Sequence, residues 1–221
     1  MRHAIVVFLG PSLDLQVACR LLTAEFCPPA KRGDITDAAT RGARIITLID
    51  GVFFQDCSVG HREILHALRD GVRVIGASSM GALRAAELDT LGMEGVGEIY
   101  RFYRDGVLTS DDEVALVYDP ETFLPLSEPL VNIRCTIRAA EGAGVLRPDV
   151  ADLLEGIAAS LYFPDRTWET ICSEARGRIS PDEIRVFRDF LKTSAVDQKR
   201  SDAMGALSRT KELAEELGIH G

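Results

Sequence analysis

Three short apolar runs punctuate the first part of the chain, and each stops at a polar or glycine-bearing turn. Residues 4–9 end at Gly10-Pro11-Ser12, residues 44–49 at Asp50-Gly51, and residues 72–75 at Gly76-Ala77-Ser78-Ser79. Runs this short, rich in β-branched residues and without alternation, read as strands buried on both faces. Between them the apolar spacing lengthens to a helical period. Residues 13–26 form one such segment. Residues 60–70 form another, with His61, Ile64, Leu65 and Leu68 on one face. The alternation predicts an α/β fold: a small doubly wound parallel sheet of three to four strands with right-handed crossovers.

The pattern changes after Leu88. Gly92 to Gly97 is glycine-rich, residues 99–103 form a short aromatic helical stretch, and residues 114–118 predict a fourth strand. Ser127 then reads as an N-cap, with Pro129 in the first turn of a helix. Helices are expected over 128–142, 148–162, 167–176, 181–194 and 198–217, with Asp149, Thr167 and Ser180-Pro181 as start signals. The expected division is an α/β core over 1–125 and an all-helical C-terminal region over 126–221. The last helix is strongly charged near its end, which suits exposure or docking.

Composition narrows the function. A net charge of −9 argues against nucleic acid as the main partner, because phosphate neutralisation needs clustered Lys and Arg. The apolar run near the N-terminus is too short to cross a membrane and is read as the first strand of a cytoplasmic protein. The five cysteines are scattered without CxxC spacing, so neither a disulfide frame nor a structural zinc site is expected. The carboxylates at 111–113 read as a solvated loop rather than a metal site. The glycines of 92–97 do not match the dinucleotide fingerprint, and no cofactor is expected.

Ligands of an open parallel sheet bind outside the carboxyl ends of its strands. Ser12, Asp50 and Ser79 stand at three such ends, and His61 opens the helix after the second. The segment Gly76-Ala-Ser-Ser-Met-Gly81 comes close to G-x-S-x-G in two registers. With Ser79 as the turn residue, Gly81 fits the second glycine, and the Met80 N–H and helix dipole can stabilise an oxyanion. Ser78 or Ser79 can equally cap the helix. A phosphate site is the third reading, weakened because no Walker lysine follows. His61 at a helix start is either a neutral base or a half-buried structural residue. Arg84 and Glu87, three residues apart, read by default as a surface ion pair. Asp50-Gly51 can equally be a turn.

Longer strings add a resemblance. Gly10-Pro-Ser12, Ile49-Asp-Gly-Val-Phe53, His61-Arg-Glu-Ile64, Ala77-Ser-Ser-Met-Gly-Ala-Leu-Arg-Ala-Ala-Glu-Leu88, Gly92-Met-x-Gly-x-Gly97, Asp111-Asp-Glu-Val114 and Leu126-Ser-Glu-Pro-Leu-Val-Asn-Ile-Arg134 resemble, in order and spacing, the TfuA-like family over roughly residues 4–135. The resemblance implies a partner of YcaO proteins in peptide backbone thioamidation, including ribosomally made natural products. The implied role is hydrolysis of the C-terminal thiocarboxylate of a ubiquitin-like sulfur carrier protein, with sulfide passed to YcaO. Ser79 would then be the nucleophile, and Asp50 or His61 would orient or deprotonate. Ser12, Ser78, Met80 and Gly81 would line the substrate, and Arg84 or Arg134 would hold the anionic thiocarboxylate. Direct attack by water, with Ser79 only a donor, is a variant. The alternative function is a non-catalytic adaptor that binds and activates YcaO. Oligomeric state, including a homodimer, stays open. Among the cysteines, Cys57 is the one to watch for sulfur uptake.

Overall fold

A computed structural model describes residues 4–53 and 57–219. The chain divides into two compact units, one of residues 1–111 with 199–221 and one of residues 112–198. The boundary expected at 125/126 thus differs in two respects. The chain passes into the helical unit earlier, and its last helix returns to the sheet.

Five parallel strands form the sheet of the first unit: β1 (Ile5–Phe8), β2 (Glu25–Cys27), β3 (Ile45–Leu48), β4 (Arg73–Ala77) and β5 (Glu94–Val96). Their spatial order is β2-β1-β3-β4-β5. The three expected strands are the central ones. The two edge strands were not foreseen, and residues 114–118 form no strand, only an isolated bridge from Tyr118 to Pro125. The physical reason is length: a three-residue, half-buried edge strand carries no apolar run. The helix expected over 13–26 is correspondingly shorter. Asp14 caps α1 (Leu15–Leu21), and Leu22 turns to extended backbone, freeing residues 25–27 to pair with β1.

Strand alternation sorts the core into two layers. Val6, Phe8, Ile46, Leu48 and Val74 pack with α2 (Asp34–Thr40), α3 (His61–Arg69) and α4 (Met80–Leu88). Ile5, Val7, Ile45, Ile49 and Ile75 pack with α1 and the final helix. Here the expectation of an exposed tail helix is corrected. Ala203, Ala206, Leu207 and Leu213 are buried against the sheet, and Thr210 meets Thr47 across a 2.6 Å hydroxyl contact. The charges that suggested exposure occupy only the outer face. The aromatic helix α5 (Glu98–Arg104) follows β5, and its first N–H groups are capped by Asp202, at 3.1 Å to Glu98 N and 2.7 Å to Ile99 N.

The second unit holds α6 (Leu130–Gly142), α7 (Pro148–Ser160), α8 (Trp168–Glu174) and α9 (Pro181–Ser194), and α10 (Gln198–Glu216) leads back to the first. Thr167 caps α8 and Ser180 forms a capping box with Glu183, as their positions before the apolar period predict. Ser127 does not cap α6. Its hydroxyl accepts instead from the Val117 N–H at 2.9 Å, and Pro129 takes the cap position. Arg166 is fully buried, donating to the carbonyls of Ala158 and Asp112 and to the Asp112 carboxylate.

Burial pushes the Glu128 carboxyl above the ordinary carboxylate range, and the charge of Asp197 adds to it. A raised folded value means the native state holds this proton more tightly than the unfolded chain. The stability it contributes is complete below the unfolded carboxyl value and is lost as pH rises through the folded one. Glu128→Gln is therefore expected to raise the melting temperature at pH 7, with the gain vanishing near pH 4. Scanning fluorimetry at the two pH values checks this.

Candidate functional site

The strand order places a topological switch point between β1 and β3, because the chain runs outward from β1 to β2 on one side and from β3 to β5 on the other. Ligands of such sheets bind at the carboxyl ends of the strands flanking this point. Ser12 follows β1 and Asp50 follows β3, and the two meet there. Ser12 Oγ donates to Asp50 Oδ1 at 2.7 Å, and the N–H groups of Gly10 and Ser12 donate to Oδ2 at 2.8 and 3.1 Å. The residue is only 2% exposed, and these three donors satisfy its carboxyl oxygens. This rules out the simple turn reading of Asp50-Gly51, since the side chain ties two strand ends together.

The third strand end joins the same network through Ser78. Its hydroxyl donates to Ser12 Oγ at 2.9 Å, so a buried chain runs Ser78–Ser12–Asp50. The backbone bends sharply here. Ser78 has φ +67, and the Ser79 N–H donates to the Ala77 carbonyl at 2.8 Å, closing a γ-turn around Ser78. The left-handed position is thus Ser78 and not Ser79, contrary to the register argument. A non-glycine residue held there stores on the order of 1–3 kcal/mol of backbone strain. The Ser78–Ser12 hydrogen bond helps hold it.

Ser79 occupies the N-cap position of α4, yet its side chain makes no capping hydrogen bond. Among the described residues its hydroxyl has no partner at all, and no fully enclosed side-chain oxygen lacks one, so Ser79 Oγ keeps contact with solvent although the residue is 2% exposed. The Met80 N–H likewise donates to no described group. An uncommitted hydroxyl therefore precedes an uncommitted amide at the start of a nine-residue helix. That pair can attack an electrophilic carbon and receive the oxyanion that forms.

Close packing fixes the turn against the sheet. A Cβ on Gly81 would lie 1.7 Å from the Leu48 carbonyl oxygen, and one on Gly76 would lie 2.2 Å from the Gly81 carbonyl oxygen. The Gly81 N–H donates to Ile49 at 3.3 Å. Gly81→Ala is expected to cost about 1–3 kcal/mol, since the helix must move off β3. A urea titration with unchanged slope and a lower midpoint checks it.

His61 stands apart from this network. It is exposed rather than half-buried, and its Nε2 meets Glu87 Oε2 at 2.7 Å. Arg84 Nη1 meets the same oxygen at 2.7 Å, the expected ion pair, while Arg84 Nε donates to the Val59 carbonyl at 2.9 Å. Glu87 thus joins His61 and Arg84 on the outer side of α4. Arg134 belongs to the second unit, where Glu113 and Glu155 hold its guanidinium at 2.9–3.1 Å. Of the carboxylates at 111–113, Asp112 pairs with Arg166 and Glu113 with Arg134, and no metal-binding cluster occurs among the described residues. Cys57 is exposed.

Beside the turn lies a cleft of about 480 Å³ lined by Phe53, Met80, Leu83, Arg84, Thr109 and their neighbours. Thr109 and Leu83 carried no sequence signal. Thr109 stands in no motif, and Leu83, though inside the 77–88 string, was singled out for no role; only the fold brings residue 109 to α4. No described helix is long and apolar enough to cross a membrane.

Comparison with known proteins adds one match. The family model described as TfuA-like protein matches residues 50–167, more than half of the 221. No curated protein matches the chain.

Proposed function

Because the chain belongs to the TfuA-like family, a family associated with YcaO proteins, we propose that it hydrolyses the C-terminal thiocarboxylate of a ubiquitin-like sulfur carrier and releases sulfide for YcaO. The observation that supports this most is the pairing of a free Ser79 hydroxyl with a free Met80 amide at the switch-point edge. Ser79 Oγ attacks the thiocarboxylate carbon, and the oxyanion settles on the Met80 N–H at the positive end of α4. The intermediate collapses by breaking the carbon–sulfur bond. The hydroxyl proton departs with the sulfur as hydrosulfide, leaving an ester on Ser79. Water then cleaves that ester, giving the carrier carboxylate and restoring the hydroxyl.

Because the leaving sulfur takes the proton, acylation needs no separate residue to remove it. Asp50 is already committed to three donors, and His61 to Glu87. Asp50 thus acts as the anchor of Ser12 and Ser78. The test is to mix the purified protein with thiocarboxylated carrier and follow sulfide. Release above the rate of the carrier alone supports the hydrolase. No release, with binding to YcaO retained, leaves the adaptor.

A further inference from the structure

Residues 117–127 form a tight hairpin in the second unit, and its conformation is fixed from several sides. At its base the Leu126 N–H donates to the Val117 carbonyl at 2.8 Å, and the Val117 N–H donates to the Ser127 hydroxyl at 2.9 Å. Tyr118 bridges to Pro125, and the Asp119 N–H donates to the Leu124 carbonyl at 2.9 Å. At the tip the Asp119 carboxylate accepts from the Glu121 and Thr122 N–H groups and from the Thr122 hydroxyl, at 2.8–3.0 Å. Phe123 sits at φ +57, a left-handed position that favours glycine or asparagine, and its ring lies 5.8 Å from that of Tyr118. What this scaffold holds out is apolar. Leu124 is 63% and Leu126 60% exposed, with Pro125 exposed between them. Folding gains nothing from a strained turn that shows two leucines to water. Binding does, because the display is ordered before a partner arrives.

Charge says what kind of surface fits. From Asp105 to Ile133 the chain has seven Asp and Glu and no Lys, Arg or His. The second unit holds sixteen Asp and Glu against nine Lys and Arg, so most of the net charge of −9 lies there. Two exposed leucines in an acidic field match an apolar groove edged by Lys or Arg, which gains both burial and Coulomb attraction. A second copy of this hairpin would set acid against acid. We infer that the 117–127 hairpin is the docking element for a partner protein with such a groove, and that this partner is the YcaO protein. The inference rests on the reading above, in which the chain serves a YcaO protein, and adds the surface of contact. The family match over residues 50–167 takes in the whole hairpin. Leu124 and Leu126 are then the anchors, and Glu121 guides the approach.

The test titrates the purified YcaO protein against the full chain by calorimetry. Two variants are compared with wild type: Leu124→Ser combined with Leu126→Ser, and Glu121→Lys. All three side chains are exposed, so both variants should melt close to wild type. The double variant is expected to weaken YcaO binding about tenfold or more and Glu121→Lys about threefold, and wild-type affinity should fall as salt rises. Sulfide release from thiocarboxylated carrier, followed without YcaO, should be unchanged in both, since the hairpin holds no residue assigned to that reaction. YcaO binding that both variants retain at full strength overturns the inference, as does absence of binding by wild type. Variants that lose the carrier while keeping YcaO overturn it too. Hairpin-dependent YcaO binding without sulfide release leaves the docking surface standing and the hydrolytic reading refuted. Sulfide release with hairpin-independent YcaO binding does the reverse.

Discussion

Ser79→Ala is expected to lower sulfide release by roughly 10³-fold or more, the scale on which loss of a nucleophile is felt when the remaining site stays intact. The same variant should fold normally. Replacing an N-cap serine usually costs about 1 kcal/mol, because the cap hydrogen bond is lost. Here the side chain makes no such bond, so the unfolding free energy should stay within about 0.5 kcal/mol of wild type. A combined loss of activity and stability would return Ser79 to the role of a cap. Ser78→Ala makes a useful contrast. It removes the hydroxyl that ties the γ-turn to Ser12, so it should lower both stability and activity moderately. If the ranking reverses, with Ser78→Ala inactive and Ser79→Ala near wild type, then the nucleophile is the left-handed residue and the neighbouring hydroxyl is the bystander.

Asp50→Ala is expected to destabilise the fold by about 4 kcal/mol, the largest stability effect of the substitutions considered. Three donors lose a charged acceptor at once: the Gly10 and Ser12 N–H groups and the Ser12 hydroxyl. All lie in a nearly solvent-free pocket, where each orphaned donor carries its full desolvation penalty. For a chain of this length the corresponding fall in melting temperature is on the order of 10 °C. Asp50→Asn can keep its carbonyl oxygen on the two backbone donors and face its amide N–H toward the Ser12 hydroxyl, which must then accept instead of donate, so it should lose about half as much. Calorimetry on the three proteins checks the series. Near-equal stability of wild type and Asp50→Ala would show that the switch-point network contributes little.

The contrast between strands and site shows what a sequence can carry. The central strands were legible because burial on both faces demands unbroken β-branched runs, as in Ile45–Leu48. The convergence of Ser12 and Asp50 was legible for a topological reason, since parallel strands bring their carboxyl ends to one edge. Which serine bends was not. Both Ser78 and Ser79 are small and polar, and the choice between them depends on how closely α4 is drawn onto β3 at Gly81, a contact across more than thirty residues. The partner of His61 was hidden for a similar reason. Glu87 lies one helix away, and its spacing from Arg84 suggested only a local pair. The return of the last helix to the sheet was masked by its charged outer face, although Ala203, Ala206 and Leu207 already mark the buried one.

The reaction of the thiocarboxylate carbon with one particular oxygen can be caught directly. Rapid quenching of the protein with thiocarboxylated carrier, followed by peptide mass spectrometry, should find the carrier's terminal acyl group esterified to the peptide containing Ser79 during the first turnover. Sulfide should be formed in equal amount, and the adduct should be missing from Ser79→Ala. Sulfide released at full rate with the acyl group attached elsewhere, or passing straight to water with no adduct at any time, would contradict the assignment.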